Sequence, residues 1–192
     1  MKTIFLLDQF TVHHIENKND VPVVHHPTRL ERKIQDRQKD FDAVAWCLRP
    51  DFTMDDISKN EFGKPLLGPL YLGISHSHEQ VVTCWAPENF GIDIQKVEEK
   101  IHRIATKFAH SSELDFAKDA QKLTLIWSAK ESVFKYFGHQ VDFATEMRVM
   151  PFDLSDGNFI LRYDGIHHKN QYFRITFKKL NDAYLTIAKP QP

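Results

Sequence analysis

The sequence contains no glycine-rich phosphate loop. Only seven of its 192 residues are glycine, and neither a GxGxxG nor a GxxxxGK[S/T] segment occurs. A GxSxG nucleophile elbow is also absent. These absences argue against a Rossmann-type dinucleotide site, a P-loop and an α/β-hydrolase serine.

Cysteine, net charge and long apolar runs are also scarce. Cys47 and Cys84 both lie in apolar segments, which argues against a disulfide framework and favours a cytoplasmic protein. Lys and Arg number 25 against 26 Asp and Glu, so the basic excess of a general nucleic-acid binder is missing. The first apolar stretch ends at Asp8, too early for a signal-peptide core or a membrane span. We therefore expect neither a nucleic-acid nor a membrane partner.

What is present suits an α+β protein with a large core. Hydrophobic residues make up 42% of the chain and include 15 Phe, which is typical of one domain or two small packed ones. Apolar periodicity predicts two α+β halves, 1–96 and 97–192. The first half is predicted to contain a buried strand at 2–7, a helix at 28–48, a polar connection at 51–64, and strands at 69–75, 79–85 and 90–95. The second is predicted to contain an amphipathic helix at 101–108, a helix at 121–137, and strands at 147–152, 158–163, 171–177 and 183–188.

The predicted strand FGIDIQ at 90–95 carries two oxygen-bearing side chains on one face. Side chains alternate along a strand, so Asp93 and Gln95 point the same way. Carboxylate and amide oxygens suit a hard cation such as Mg²⁺. The alternative is an edge strand with a polar, solvated face.

The predicted helix containing WSAKES aligns three further side chains. Trp127, Glu131 and Lys135 are spaced i, i+4, i+8 and share one stripe. A carboxylate beside an ammonium can hold a metal and neutralise a phosphate. The alternative is a surface ion pair between Glu131 and Lys135, which contributes a few tenths of a kcal/mol.

The segment SHSH at 75–78 is predicted to form a tight bend between two strands. His76 and His78 could be zinc ligands, but no Cys or third His lies at a familiar spacing. A histidine beside two serines also suits a phosphate contact, or turn residues bonded to their own backbone. The 11 histidines and a basic segment keep a metal- or nucleic-acid-binding module open as a third hypothesis. That basic segment contains Arg29, Arg32, Lys33, Arg37 and Lys39.

Taken together and in order, these motifs resemble the 4′-phosphopantetheinyl transferase superfamily, in its single-chain Sfp-like type. The matching segments are GKP at 63–65, ISHS at 74–77, GIDI at 91–94, Phe108 with Glu113, and WSAKES at 127–132 followed by Lys135. The resemblance covers about residues 60–137. It is specific in the combination of motifs rather than in any one of them.

The resemblance implies a fold, an activity and its partners. The fold would be a pseudo-dimer of two similar α+β halves, with the active site at their interface. The activity would be that of a holo-acyl-carrier-protein synthase: transfer of 4′-phosphopantetheine from coenzyme A to a serine of an apo acyl or peptidyl carrier protein. Mg²⁺ would be required, 3′,5′-ADP would be released, and the protein is expected to be a monomer.

The resemblance also implies roles for individual residues. The metal ligands would be Asp93, Glu131 and Gln95. The catalytic residues would be Glu113 as general base, Glu131, and Lys135 as the group that stabilises phosphate charge or protonates the leaving group. Coenzyme A would be bound by Lys64, Pro65, Ser75, His76 and Lys135, and the basic segment at 29–39 falls where the family places further phosphate contacts.

One position departs from the family pattern. The family usually has Glu two residues after the Asp, whereas this chain has Gln95. An amide oxygen can ligate Mg²⁺ but brings no charge, so weaker metal binding is expected. Gln95 also motivates the alternative that the chain is a non-catalytic homologue that binds coenzyme A or a carrier protein.

Overall fold

A computed structural model describes residues 1–20, 29–165 and 169–192, with only the backbone described for residues 29–38. Six strands form one sheet: β1 (Lys2–Leu7), β2 (Phe10–Ile15), β3 (Ile57–Lys59), β4 (Pro65–Leu67), β5 (Leu70–Ser77) and β6 (Gln80–Ala86). Five strands form a second: β7 (Gly91–Lys96), β8 (Met147–Val149), β9 (Asn158–Tyr163), β10 (Gln171–Leu180) and β11 (Ala183–Pro190). The helices are α1 (Arg29–Leu48), α2 (Ala105–Phe108), α3 (Ser111–Phe116) and α4 (Ala120–Phe137), with 3-10 helices at Lys18–Asp20, Met54–Asp56 and Glu99–Ile104. The architecture is α+β, as predicted.

The first sheet is antiparallel in the order β1-β2-β6-β5-β4-β3, and α1 packs against β6 and β2. The prediction of a buried strand at 2–7 was wrong in its burial. β1 lies at the edge of the sheet, where Ile4 is 56% and Leu6 71% exposed. β2 supplies the buried strand instead, with Phe10 and Val12 in the core. The polar connection at 51–64 contains the short strand β3.

The second sheet is antiparallel in the order β7-β11-β10-β9-β8, and α4 packs across β7 and β11. Asp119 caps the start of α4 by accepting a hydrogen bond from the Lys122 N–H, and Gly138 ends it in a left-handed conformation at φ 74°. The helix predicted at 101–108 is a 3-10 helix followed by one turn of α-helix. None of the helices in the described part of the chain is long and apolar enough to span a membrane.

The two sheets meet where β5 packs against β7. β7 pairs with β11 on one side. On the other side, its backbone N–H groups donate hydrogen bonds to serine hydroxyls of β5. Ser75 Oγ accepts from Ile94 N at 3.1 Å, and Ser77 Oγ accepts from Lys96 N at 3.0 Å. The SHSH segment is therefore not the predicted bend, because β5 continues through Ser77 and the turn begins at His78. The predicted division of the chain into two halves at residue 96 stays a prediction. β7, which precedes this boundary, is hydrogen-bonded into the second sheet but also packs on the first.

A glycine allows α4 to approach β7 closely. A Cβ added at Gly91 would lie 1.7 Å from the carbonyl oxygen of Ser132 in α4, and backbone atoms cannot move aside cheaply. We expect Gly91→Ala to destabilise the protein by about 3 kcal/mol or more, as overpacking of a rigid core does at its upper end. Urea unfolding of the variant measures this loss.

Gly68→Ala is the matched control for Gly91→Ala. Gly68 has φ +58° and no atom within 4 Å of an added Cβ, so its substitution costs only backbone strain, about 1–2 kcal/mol. Equal losses at the two positions would contradict a steric clash between Gly91 and α4.

Candidate active site

A pocket of about 320 Å³ opens between the two sheets, beside the face of α4 that carries Trp127, Glu131 and Lys135. It collects side chains from three elements that are distant in sequence. They are Ile74, Ser75 and His76 of β5, Asp93 and Gln95 of β7, and Trp127, Glu131 and Lys135 of α4. The structure thus brings together six of the site residues predicted from the sequence: Ser75, His76, Asp93, Gln95, Glu131 and Lys135.

Asp93 is the most tightly held side chain of this pocket. It is 5% exposed, and both of its carboxylate oxygens are occupied. Oδ1 accepts from Ser75 Oγ and from Lys135 Nζ, each at 2.8 Å, and Oδ2 accepts from Ser128 Oγ at 2.9 Å. β7 lies at the edge of its sheet, as the alternative expected, but the solvated face of that alternative is wrong at Asp93, because β5 and α4 cover this side chain.

Glu131 is the carboxylate of the pocket that remains available. Among the side chains that the structure describes, it forms neither a hydrogen bond nor an ion pair. Burial, together with the nearby charge of Asp93, raises the pKa of Glu131 to about 6, and Lys135 offsets part of this rise. Two carboxylates held close together in a half-buried pocket favour a bound cation.

Lys135 forms its ion pair with Asp93 rather than with Glu131. Its Nζ lies 2.8 Å from Asp93 Oδ1 and also donates to Ser75 Oγ at 2.8 Å. The alternative prediction of a surface ion pair between Glu131 and Lys135 was wrong, since Lys135 reaches across to β7 and is only partly exposed. The ammonium therefore borders the pocket beside Asp93, while the Glu131 carboxylate lines the same pocket.

His76 projects from β5 toward α1. Its Nδ1 lies 3.6 Å from Asp40 Oδ2, and the other oxygen of Asp40 accepts from Lys18 Nζ at 2.7 Å. The His76 side chain is 57% exposed, so it remains accessible to a ligand in the pocket. His78 points elsewhere, with its Nε2 3.6 Å from Glu98.

Lys64 and Pro65 lie in a second, adjoining pocket of about 250 Å³, which also includes Ile74 and Lys135. Lys64 is turned inward. Its ammonium donates to the carbonyl oxygen of Phe90 at 2.6 Å and to the Asn89 side chain, which ties the GKP segment to the start of β7. Burial lowers the pKa of Lys64 to about 8.

Glu113 lies outside the pocket and is completely buried. Its Oε2 accepts from Lys130 Nζ at 2.6 Å and from the His110 N–H at 2.7 Å, and its Oε1 accepts from Val149 N at 2.6 Å. Lys130 is also fully buried, and its ammonium donates to the carbonyl oxygens of Phe108, Phe143 and Met147. The structure therefore does not bring Glu113 to the other predicted site residues, and its role as general base stays a prediction.

Part of the basic segment lies outside the described residues: the side chains of Arg29, Arg32, Lys33 and Arg37. Its last member is described, and Lys39 Nζ donates to Asn19 Oδ1 at 2.8 Å.

Sequence reasoning assigned no role to two residues that hold Asp93 from behind, Ser128 directly and Thr186 through Ser128. Ser128 lies within the WSAKES motif and flanks the Trp127–Glu131 stripe, but helical spacing alone does not identify Asp93 of β7 as its partner. Thr186 comes from β11, opposite Asp93 in the strand register. Nothing in the sequence around Thr186 links it to the motif.

The donor set of the pocket suits Mg²⁺. Asp93 and Glu131 offer carboxylate oxygens, Gln95 offers an amide oxygen, and hard divalent cations prefer such ligands. Within the described residues, no group of three or more His, Cys, Asp or Glu side chains is arranged to hold a metal ion. A cation here would therefore have few protein ligands, as is usual for Mg²⁺ bound together with phosphate oxygens and water.

Comparison with known proteins agrees with the geometry. Residues 89–188, just over half of the chain, match the 4′-phosphopantetheinyl transferase superfamily. The chain therefore belongs to this superfamily. A curated relative, the 4′-phosphopantetheinyl transferase gsp of Aneurinibacillus migulanus, is 36% identical over 87 residues. The matched region covers 42% of this chain and 37% of that relative, so the chain spans well under half of the relative's length.

Proposed function

We propose that this protein transfers 4′-phosphopantetheine from coenzyme A to a serine hydroxyl of an apo carrier protein, with Mg²⁺ as cofactor. One observation carries the proposal. A tightly held carboxylate, a free carboxylate and an ammonium, from Asp93, Glu131 and Lys135, border one pocket between the two sheets. Phosphoryl-type transfer is mainly positioning plus neutralisation of charge, and these groups supply both.

The proposed reaction forms one bond and breaks one. The serine oxygen forms a bond to the β-phosphorus of coenzyme A, and the bond from that phosphorus to the bridging oxygen breaks. 3′,5′-ADP leaves with the bonding electron pair. When bound by Asp93, Glu131 and Gln95, Mg²⁺ would act as a Lewis acid on the pyrophosphate.

Other steps of the proposed reaction are assigned to individual residues of the pocket. Lys135 neutralises charge on the pyrophosphate, and His76 contacts a phosphate at the exposed side of the pocket. We assign the serine proton to a carboxylate oxygen of Glu131, because Glu113 is buried and bonded on both oxygens. The adjoining pocket beside Lys64 and Pro65 would receive the nucleotide end of coenzyme A.

Mass spectrometry of a carrier protein tests the proposed activity. The protein is incubated with coenzyme A and an apo acyl or peptidyl carrier protein, with Mg²⁺ present or chelated. We expect the carrier to gain the mass of one phosphopantetheinyl group only when Mg²⁺ is present. Absence of transfer to any of several carriers would overturn the proposal, and coenzyme A binding unaffected by Mg²⁺ would favour a non-catalytic homologue.

Gln95→Glu is expected to strengthen the metal site. Gln95 lines the pocket with its side chain half-buried, and a carboxylate at this position adds one negative charge near the cation. The half-saturating Mg²⁺ concentration for coenzyme A binding should fall on the order of tenfold, because ligand charge tunes metal affinity.

Calorimetric titration of coenzyme A at a series of Mg²⁺ concentrations measures the effect of Gln95→Glu. Gln9→Glu is the control, since Gln9 lies on the surface beside Glu88, away from the pocket. An unchanged Mg²⁺ requirement in Gln95→Glu would place residue 95 outside the metal site.

A further inference from the structure

Behind Asp93 lies a buried line of hydroxyl groups. Ser128 Oγ, which donates to Asp93 Oδ2, lies 2.8 Å from Thr186 Oγ1, and Thr186 Oγ1 lies 2.7 Å from Ser132 Oγ. All three hydroxyl residues are completely buried. The line runs from the carboxylate of β7 through α4 to β11 and back to α4.

Proton counting gives this line a direction. Each hydroxyl has a single proton, and a carboxylate only accepts. Ser128 donates its proton to Asp93. The Thr186 proton has two acceptors within reach, Ser128 Oγ at 2.8 Å and the Ser128 carbonyl oxygen at 3.0 Å, and both belong to Ser128. The Ser132 proton has Thr186 Oγ1 at 2.7 Å and the Thr186 carbonyl oxygen at 3.3 Å, and both belong to Thr186. Each hydroxyl therefore donates to the next residue in the direction of Asp93, and hydrogen bonds in such a series polarise one another.

Thr186 occupies the central place in this line. It pairs with Asp93 across the β7–β11 ladder, and its Oγ1 also lies 3.0 Å from the carbonyl oxygen of Ser128. Its hydroxyl thus contacts both the side chain and the backbone of the residue that holds Asp93. A valine would fill the same volume in the strand but could not donate a proton to Ser128.

We propose that Thr186 is a positioning residue of this active site, which fixes the Asp93 carboxylate through Ser128. The inference rests on the proposed function in that it takes Asp93 to be a metal ligand. Residues that orient metal ligands typically change metal affinity by 10–100-fold when they are replaced. Thr186 itself touches neither the pocket nor its contents.

Two substitutions of Thr186 separate its hydroxyl from its volume. Thr186→Val removes the hydroxyl, and Thr186→Ser restores it without the methyl group. Thr124→Val is the matched control, because Thr124 is completely buried in the same helix α4 and its Oγ1 has no partner among the described residues. Ser128→Ala is the second variant, and it removes the direct bond to Asp93.

The measurement is the half-saturating Mg²⁺ concentration for coenzyme A binding, from calorimetric titrations. Circular dichroism and urea unfolding establish that each variant is folded. We expect this Mg²⁺ concentration to rise about tenfold or more in Thr186→Val and in Ser128→Ala. It should stay within about threefold of the wild-type value in Thr186→Ser and Thr124→Val, since both keep the line of hydroxyls intact.

The outcomes distinguish the inference from the function on which it rests. An unchanged Mg²⁺ requirement in folded Thr186→Val overturns the inference, as does an equal change in Thr124→Val. If Thr186→Val does not fold, a wild-type requirement in Ser128→Ala or a raised one in Thr186→Ser overturns it. Wild-type protein that shows no Mg²⁺-dependent binding of coenzyme A instead overturns the proposed function.

Discussion

Glu131→Gln is expected to abolish transfer while making the protein more stable at neutral and alkaline pH. The substitution removes a proposed metal ligand and the proposed proton acceptor together, so kcat/KM should fall roughly a thousandfold or more. It also removes a carboxylate that the fold holds in an unfavourable environment, beside the charge of Asp93. Loss of activity should therefore accompany a gain in stability, as often occurs at functional sites.

The pH dependence of this gain follows from the pKa of Glu131. Its folded-state pKa, about 6, lies above its ordinary value of 4.5, so the folded protein binds this proton more tightly than the unfolded chain. Proton binding by Glu131 therefore stabilises the folded wild-type protein fully below about pH 4.5, and this stabilisation is lost as the pH rises through about 6. Above that range, the charged form costs the wild-type protein up to about 2 kcal/mol.

Thermal unfolding with chelator present measures the effect of Glu131→Gln. At pH 8 the variant should unfold about 4 °C above the wild type, and the difference should shrink toward zero near pH 4.5. Glu99→Gln serves as the control, because the Glu99 side chain is 89% exposed and its charge costs the fold little. A variant that retains transfer, or that is equally destabilised at both pH values, would contradict the assignment.

Lys130→Met is expected to destabilise the protein strongly. The substitution leaves the buried carboxylate of Glu113 without its counter-ion and removes a donor from three carbonyl groups. Removal of one partner from a buried ion pair typically costs about 3–5 kcal/mol. The affected contacts tie α4 to α2, α3 and the start of β8.

Urea unfolding measures the effect of Lys130→Met. Lys122→Met is the matched control on the same helix, since its ammonium lies 4.0 Å from Asp153 at the surface and should contribute less than about 1 kcal/mol. Replacement of both partners, in Lys130→Met/Glu113→Leu, should recover part of the loss, because no unpaired charge then remains buried. A loss below about 1 kcal/mol in Lys130→Met would show that the pair does not hold this region together.

Local periodicity predicted the parts of the site that lie within one element. Alternation along β7 placed Asp93 and Gln95 on one face, and helical spacing aligned Trp127, Glu131 and Lys135; both groups line the pocket. Spacing along one element says nothing about what lies opposite. The alternative that paired Lys135 with Glu131 in the same helix was therefore wrong, because the partner of Lys135 is Asp93 in β7.

Other features depend on tertiary packing that a single sequence does not reveal. β2 carries two adjacent histidines, His13 and His14, which hide its strand pattern although both are buried. β1 has the apolar sequence of a core strand but lies at the edge of its sheet. Thr186 joins the site only because β11 pairs with β7, a contact between strands about 90 residues apart.

Crystals grown with coenzyme A and Mn²⁺, which substitutes for Mg²⁺ and scatters anomalously, test most directly whether this pocket is the active site. An anomalous difference map locates the metal independently of the rest of the structure. The account predicts one strong peak in contact with carboxylate oxygens of both Asp93 and Glu131, next to the pyrophosphate. A metal peak elsewhere, or ordered coenzyme A with no metal at these carboxylates, would contradict it.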